Sequence, residues 1–298
     1  MLDEALRQRL ESLNRGALPA LASAPRPNVM PAAESRTSTS CEAPKVTRVG
    51  KPLPGIVRMG EVIATAVGEH LRIRLPIDAL WSGGSQLVTA RQAHLRERLA
   101  EASRAVEPAV VMNPEFAALV SSMPDRMVLL DLETCGLSGA ALFLAGVLRC
   151  VDGVPTVELL LARNYAEEHA VLESLWQILT QQDALVTFNG KAFDWPMVLD
   201  RSARYRLTAA RRPRKMLHVD MLHHARRRWR RQLPDCRLQT LEQLVCRRTR
   251  TGDIPGHRIP AAYADFVRTG FERDMEAILY HNAMDLVTLL DLTLRLAS

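Results

Sequence analysis

The sequence is poor in aromatic residues and cysteines, and each shortage excludes a class of site. Phe, Trp and Tyr make up 5% of its 298 residues, so a binding surface built mainly on stacked rings is not expected. The five cysteines form no C-x-x-C pair. Because disulfide frameworks and structural zinc sites need paired or closely spaced cysteines, this scattered set predicts reduced thiols in a cytoplasmic protein.

The sequence also lacks any segment that resembles a membrane span or a secretory signal. Its longest apolar runs, such as residues 140–147, are far shorter than the ~20 residues that cross a bilayer. The N-terminus carries acidic residues where a secretory signal would have a cationic start and an apolar run. We therefore expect no contact with a membrane.

Composition divides the chain into three predicted regions. Residues 1–55 form an N-terminal extension which, after a short helix, is too poor in apolar residues to offset its ordering entropy, so we expect it to be largely disordered. Residues 56–125 form an ill-defined accessory segment, with strands up to about residue 80 and an exposed helix at 92–106. Residues 126–298 form the main domain.

The main domain is predicted to have an α/β fold. Three apolar strands come first, helix and strand then alternate, and the last part is mostly helical. That order is typical of a mixed central sheet flanked by helices. The predicted strands are 127–132, 141–150, 155–162, 184–188 and 216–221, with Asp152-Gly153 as a hairpin turn and helices at 167–181 and from about residue 194.

The first candidate site motif is Asp131-Leu132-Glu133, at the end of an apolar strand. Side chains alternate along a strand, so both carboxylates point to the same face. Neighbouring carboxylates repel each other, and their burial is costly unless a cation lies between them. The alternative interpretation is two solvated acids at an exposed strand end.

The second motif is Asn189-Gly-Lys-Ala-Phe-Asp194, between a predicted strand and a predicted helix. Asn189-Gly190 predicts a turn, and Pro196 suits the first turn of a helix, where its missing N–H costs nothing. Asp194 then either binds a metal or stabilises the helix N-terminus through the macrodipole. This motif alone does not separate the two roles.

The third motif is His281-Asn-Ala-Met-Asp285, on a late helix. His281 and Asp285 are four residues apart and share one face of that helix. Asn282 falls about 60° or more off that face by the 3.6-residue period, so we do not count it as a catalytic residue. A hydrogen-bonded His–Asp pair on a helix surface is the alternative interpretation.

Taken in order, the three motifs resemble those of the DEDD superfamily of exonucleases and, more closely, the bacterial YprB-type RNase H-like domain. Three further sequence segments are similar to the family: His218-Val-Asp220, Cys236-Arg-Leu-Gln-Thr-Leu-Glu242 and Asp253-Ile-Pro-Gly256. The resemblance covers about residue 126 to the C-terminus. It implies an RNase H-like fold and hydrolysis of nucleic-acid phosphodiester bonds from a 3′ end. His218 and Asp220 share a strand face and serve either the site or the fold.

The resemblance also implies a set of catalytic residues. In that superfamily four carboxylates hold two divalent cations against the scissile phosphate. Carried over to this chain, they are Asp131, Glu133, Asp194 and Asp285, and such oxygen ligands suit Mg²⁺ or Mn²⁺. Two ions of this kind activate the attacking water and stabilise the leaving oxygen.

His281 is the candidate general base, because an unperturbed histidine titrates near neutral pH. The chain departs here from the better-known branches of the superfamily, which usually place a His five residues before the last Asp or a Tyr four residues before it. This chain has Tyr280 five residues before Asp285 and His281 four before it. The four-residue offset on a helix favours His281.

Positive charge is concentrated between residues 201 and 250, which contain sixteen Lys/Arg and three Asp/Glu, although the whole chain has a net charge of +6. Clusters at 211–215, 226–231 and 247–250 suit the phosphates of a nucleic acid. Trp229 is placed to stack on a base, and a place in the core is its alternative. The predicted nucleic-acid contacts are Lys191, Arg226, Arg227, Trp229, Arg230 and Arg231.

Two other functions remain open from the sequence. One is a nucleic-acid-binding RNase H-like module with little or no catalytic activity. The other is a metal-dependent phosphohydrolase that acts on small nucleotides. The presence of all four carboxylates favours an enzyme over the first, and the arginine-rich region favours a polymeric substrate over the second.

Overall fold

A computed structural model describes residues 47–48, 53–104, 112–136, 140–207 and 215–298, which all belong to one compact unit. The predicted N-terminal helix and most of the predicted disordered extension lie outside the described residues. Within the described part, no helix is both long enough and apolar enough to cross a membrane.

The strands form one large mixed sheet and one small ribbon. They are β1 (Thr47–Arg48), β2 (Glu61–Thr65), β3 (Gly68–Pro76), β4 (Met127–Thr134), β5 (Leu142–Val151), β6 (Val154–Leu161), β7 (Ala184–Thr187), β8 (Leu217–Asp220) and β9 (Arg248–Thr249). The large sheet has the order β2-β3-β6-β5-β4-β7-β8. Its pairs are antiparallel from β2 to β4, and β7 is parallel to both β4 and β8. β1 and β9 pair in parallel as the ribbon.

Helices pack against this sheet, and the C-terminal part of the chain is mostly helical. They are α1 (Ile77–Leu80), α2 (Gly84–Arg104), α3 (Pro114–Ser122), α4 (Glu168–Leu179), α5 (Asp194–Arg204), α6 (Met221–Trp229), α7 (Leu238–Leu244), α8 (Ile259–Thr269) and α9 (Arg273–Ala297), with short 3-10 turns at Ile56–Met59, Tyr165–Glu167 and Gly256–Arg258. The predicted α/β architecture, a mixed sheet flanked by helices, is confirmed.

The accessory segment contributes strands to the same sheet. β3 alternates buried apolar residues with more exposed ones, and its Ile73 pairs with Leu159 of β6. The predicted boundary at residue 125 therefore does not separate two sheets, while the three-region division itself stays a prediction. α2 also differs from its prediction, because it begins earlier and buries one face through Val88, Gln92 and Leu95.

Two features of the sheet determine where the candidate site lies. β7 is parallel to β4, so both strands end at the same edge of the sheet. The hairpin between β5 and β6 uses Asp152 and Gly153 at φ 50° and 81°, as a two-residue turn with positive φ values requires. β5 in turn pairs with β4, and the long helix α9 packs across both β4 and β5.

Candidate active site

The three carboxylate motifs meet at the edge where β4 and β7 end. Asp131 and Glu133 lie in the second half of β4, Asp194 is the first residue of α5, and Asp285 lies on α9. The charges of Glu133, Asp194 and Asp285 all act on Asp131. All four residues are partly exposed, so solvent can reach this group of carboxylates.

Burial raises the pKa of three of these carboxyl groups, and for Asp131 and Glu133 the charges of neighbouring carboxylates raise the pKa further. Burial, with the charges of Asp285, Glu133 and Asp194, raises the pKa of Asp131 well above its usual range. Burial raises the pKa of Glu133 to about 8, because Asp285 and Asp194 reinforce it and His281 only partly opposes it. Burial also raises the pKa of Asp194 to about 7. A bound cation would favour ionisation of such a cluster.

The loop that precedes Asp194 is held by Asp220, at the end of β8. The Asp220 carboxylate accepts hydrogen bonds from the backbone N–H groups of Asn189 at 2.8 Å and Lys191 at 3.1 Å. Asn189 has a φ of 66°, in the left-handed region that asparagine tolerates. Of the two roles left open for Asp220, support of the site is the one its contacts favour.

Glycine at position 190 leaves room for the Asp194 carboxylate. A Cβ atom there would lie 2.5 Å from Thr187 Cβ and 2.8 Å from Asp194 Oδ2. Thr187 is itself fixed, because its Oγ1 lies 2.9 Å from His218 Nε2. Burial and the charge of Lys191 lower the pKa of His218 to about 4, so this ring is neutral and structural.

Asn282 contacts Asp131, although the 3.6-residue period places it off the face that His281 and Asp285 share. Its Nδ2 donates to Asp131 Oδ2 at 2.7 Å and to the Asp131 backbone oxygen at 3.3 Å. Gly146 of β5 pairs with Asp131 of β4. A Cβ on Gly146 would overlap Asn282 Oδ1 and lie 2.8 Å from Asn282 Cγ. This contact is possible because α9 is buried on almost all sides, so residues off the face of His281 and Asp285 also meet the sheet.

His281 lies between two carboxylates. Its Nδ1 is 2.6 Å from Asp253 Oδ1, and its Nε2 is 3.5 Å from Asp285 Oδ2. Burial lowers the pKa of His281, but the hydrogen bond to Asp253 and the charges of Asp285 and Glu133 outweigh burial and raise it to about 9. The ring is therefore protonated at neutral pH in this arrangement, and it accepts a proton only once the negative charge around it is reduced.

Tyr280, at the five-residue offset, is part of the core and is 2% exposed. Burial raises the pKa of its hydroxyl to about 12. The position of its side chain in the core favours His281 over Tyr280 as the group beside the carboxylates.

Arg250 brings positive charge to the site. Its Nε donates to Glu242 Oε2 at 2.8 Å, its Nη1 donates to the His281 backbone oxygen at 3.2 Å, and its Nη2 donates to Asp285 Oδ1. The side chain is 5% exposed. The 247–250 cluster was expected to face phosphates, but Arg248 and Arg250 are buried against carboxylates instead.

Two of the four carboxylates, those of Asp131 and Asp285, accept hydrogen bonds from protein donors. Within the described ranges, no group of three or more carboxylate, histidine or cysteine side chains is arranged to hold a metal ion as it stands. Asn282 occupies one oxygen of Asp131, and Arg250 occupies one oxygen of Asp285. The donor set is nonetheless made of oxygen ligands that suit a hard divalent cation.

Exposed positive charge is concentrated at the end of α6. Five exposed arginines, together with His223 and Gln232, line a cavity of about 500 Å³; they are Arg226, Arg227, Arg228, Arg230 and Arg231. None of the five forms an ion pair with a carboxylate in the described part of the chain. Asp220 caps the start of α6 by accepting a hydrogen bond from Leu222, so this helix begins beside the Asp194 loop.

The two other predicted nucleic-acid contacts have protein partners. Trp229 is partly buried and packs against a small cluster that includes Ala225, Leu241 and Leu292. Part of its ring therefore belongs to the core, which was the alternative to stacking on a base. The Lys191 side chain is 43% exposed, and its Nζ lies 3.8 Å from Glu115 Oε1.

With this geometry described, the chain can be compared with known proteins. A family model described as RNase_H superfamily matches residues 128–297, which is more than half of the chain. The chain belongs to the RNase H superfamily. Proteins of this superfamily are usually nucleases, and they generally use divalent metals. The RNase H-like fold implied by the motifs is thereby confirmed.

The chain is also similar to the Uncharacterized protein YprB of Bacillus subtilis (strain 168). The two are 33% identical over 178 residues, which cover 58% of this chain and 42% of YprB. The chain thus spans less than half of the length of that relative. The predicted YprB-type RNase H-like resemblance is confirmed, and membership of the DEDD subclass stays a prediction.

Proposed function

We propose that this RNase H-superfamily chain is a metal-dependent nuclease that shortens DNA or RNA from the 3′ end by hydrolysis of phosphodiester bonds. One observation carries the proposal. Four carboxylates from three separate motifs, Asp131 with Glu133, Asp194 and Asp285, lie within electrostatic range of one another at one open edge of the sheet.

The oxygen donors of the four carboxylates are of the kind that Mg²⁺ or Mn²⁺ takes, and a bound pair of such ions would activate a water and stabilise the leaving oxygen. Asn282 would hold the Asp131 carboxylate in one orientation through its 2.7 Å hydrogen bond. Arg250 would hold one oxygen of Asp285 and leave the other facing His281. His281 would take up the proton of the attacking water at its Nε2.

A polymeric substrate is supported by the unpaired arginines at the end of α6. Their cavity offers a chain of phosphates several positive charges with no competing carboxylate among the described residues. Phe193, next to Asp194, is 62% exposed and presents an aromatic face beside the site. Lys191, on the same loop, adds a cation.

The contacts of Asp285 and Asp131 also support a second candidate, an RNase H-like nucleic-acid-binding module with little activity. Arg250 and Asn282 already satisfy one oxygen of each carboxylate. A module of this kind would bind nucleic acid through α6 and leave it uncut.

One experiment separates the two candidates. End-labelled single- and double-stranded DNA and RNA are incubated with the protein in Mg²⁺, Mn²⁺ or EDTA, beside the Asp131→Asn variant. The nuclease proposal predicts metal-dependent shortening from the 3′ end that Asp131→Asn loses. Because a ligand that binds only the native state raises its stability, Mn²⁺ should also raise the melting temperature of wild type more than that of the variant. Tight binding of uncut substrate, without a metal-dependent shift, would support the binding module instead.

The arginines of α6 have their own test. The variant Arg226→Gln/Arg227→Gln/Arg230→Gln/Arg231→Gln should weaken binding of single-stranded substrate, measured in EDTA. The slope of log binding constant against log salt should fall by about 0.7 for each phosphate that the variant no longer neutralises. The matched control replaces four exposed arginines elsewhere, Arg58, Arg204, Arg237 and Arg268, and should leave that slope unchanged.

A further inference from the structure

Asp253 belongs to the segment Asp253-Ile-Pro-Gly256, which resembles the family but was given no role in the sequence analysis. It lies after β9, where its Oδ1 is 2.6 Å from His281 Nδ1. The same oxygen accepts the backbone N–H of Ile254 at 3.0 Å. The opposite nitrogen of the ring, Nε2, faces Asp285 Oδ2 at 3.5 Å. The imidazole is thus held from behind by one carboxylate and directed at another.

We propose that Asp253 is a positioning residue for His281, which it holds so that Nε2 rather than Nδ1 faces Asp285, one of the four candidate ligands. The proposal rests on the proposed nuclease function, in which Nε2 is the nitrogen that serves the reaction. An imidazole turned by 180° would present its other edge to the pocket. A hydrogen bond from Nδ1–H to a carboxylate prevents that turn and fixes the proton on Nδ1, so that Nε2 is the nitrogen that gains or loses a proton.

Asp253 is itself held in place, as a positioning residue must be. Its Oδ2 lies 3.6 Å from Arg250 Nε and 3.4 Å from Gln239 Nε2. Arg250 is anchored in turn by Glu242 at 2.8 Å and also pairs with Asp285. One guanidinium therefore fixes the carboxylates on both sides of the histidine. This arrangement gives a role to Glu242 and Asp253, which belong to the two family-like segments at residues 236–242 and 253–256.

Geometry distinguishes this pair from an ordinary surface ion pair. The side chains of His281 and Asp253 are only 10% and 20% exposed. A short hydrogen bond in such a setting is charge-assisted and directional. The outer partners of catalytic and metal-bound histidines orient the ring in this way, and their loss typically costs about 10- to 100-fold in activity.

The test is a double-mutant cycle on metal-dependent cleavage with Asp253→Asn, His281→Ala and the double variant. Asp253→Asn should lower kcat about 10- to 100-fold with little change in KM. In the His281→Ala background the same substitution should have almost no further effect, because residues that act through one another are not additive. Asp253→Ser repeats the cycle should Asp253→Asn fold poorly. Asp265→Asn removes an exposed ion pair with Arg268 and is the matched control.

A second readout does not depend on activity. In the metal-free protein, NMR of the imidazole nitrogens should show the Nδ1–H of His281 hydrogen-bonded in wild type and Asp265→Asn, and altered in Asp253→Asn. Equal losses of kcat in both backgrounds, or an unchanged imidazole spectrum in Asp253→Asn, would overturn the proposal. If wild type cleaves nothing, the nuclease function fails, and the spectrum alone decides whether Asp253 positions the ring.

Discussion

Two aspartates on α9, six residues apart, meet arginine in different surroundings. Asp285 is partly exposed, pairs with Arg250 and shares its pocket with three other candidate ligands. Asp291 is 1% exposed and contacts three arginines. Despite burial, the charges of Arg248 and Arg295 and a hydrogen bond from Arg295 lower the pKa of Asp291. Beside Asp285, by contrast, burial and the charges of neighbouring carboxylates raise the pKa of Asp131 and Glu133.

The difference shows how one helix serves both the core and the site. Around Asp291 the positive charge is sufficient, so the buried carboxylate is fully compensated and contributes to stability. Around Asp285 negative charge is in excess, which leaves a pocket that an added cation would stabilise. Substitutions on the two sides of this contrast should differ in both the kind and the size of their effects.

Asp291→Asn should destabilise the protein by about 3–5 kcal/mol, because removal of one partner leaves the buried Arg248 guanidinium uncompensated. Urea unfolding of wild type and variant measures this loss. Asp274→Asn, on the exposed first turn of the same helix, is the matched control. A loss below about 1 kcal/mol, the level of a surface ion pair, would contradict the assignment of Asp291 to the core.

Asp285→Asn should affect cleavage strongly and stability only weakly, the opposite of Asp291→Asn. We expect loss of more than about 100-fold in metal-dependent cleavage, since even an outer partner of a metal ligand is worth 10- to 100-fold. In EDTA the variant should be destabilised less than Asp291→Asn, because Arg250 keeps Glu242 and Asp253 as partners and one of four mutually repelling carboxylates is gone. Cleavage assays and urea unfolding of the same preparation measure both effects. Intact cleavage in the variant would exclude Asp285 from the site.

Gly146→Ala should disturb the site from within the sheet. The new Cβ would overlap Asn282 Oδ1 and lie 3.0 Å from Leu286 Cδ1, so Asn282 must leave Asp131 or the strand must shift. Overpacking of this kind typically costs about 1–3 kcal/mol, and cleavage should fall along with stability. Gly256→Ala, where no atom lies within 4 Å of the new Cβ, is the control. Equal activity and stability in both variants would contradict this packing.

His70 extends the contrast to a buried neutral group. Its Nε2 lies 2.8 Å from Ser174 Oγ and its Nδ1 lies 3.1 Å from the Leu71 backbone oxygen, and burial lowers its pKa. Below about pH 6.5, His70 therefore binds a proton more readily in the unfolded chain than in the folded protein. The free energy of unfolding should fall as pH falls. His70→Gln should flatten that part of the stability curve, measured by urea unfolding from pH 8 to pH 5. An unchanged curve, beside exposed His257→Gln as control, would sink this assignment.

Local patterns in the sequence were sufficient to predict the elements that carry the carboxylates. Alternation along β4 predicted that Asp131 and Glu133 share a face, and Asn189-Gly190 predicted the turn before Asp194. The spacing of His281 and Asp285 predicted a common helix face. These features depend on backbone geometry within a few residues, which is why sequence alone reveals them.

The rest of the site depends on contacts between distant segments. Asn282 was excluded by a helical-wheel argument that could not include the sheet on which α9 lies. Asp253 and Arg250 lie in irregular chain after α7, and nothing in their local pattern indicates that they face His281 and Asp285. The joining of β3 to β6 likewise depends on long-range pairing.

Helix α9 carries Asp285 near its middle, and its remaining residues from Ile278 to Leu294 are all buried. A rod enclosed in this way cannot tilt at one end without disturbing its surroundings along its whole length. A metal ion or substrate that binds at Asp285 should therefore also stabilise the C-terminal turns of α9. Amide hydrogens near Leu292, which the substrate would never touch, should exchange more slowly while the pocket is filled.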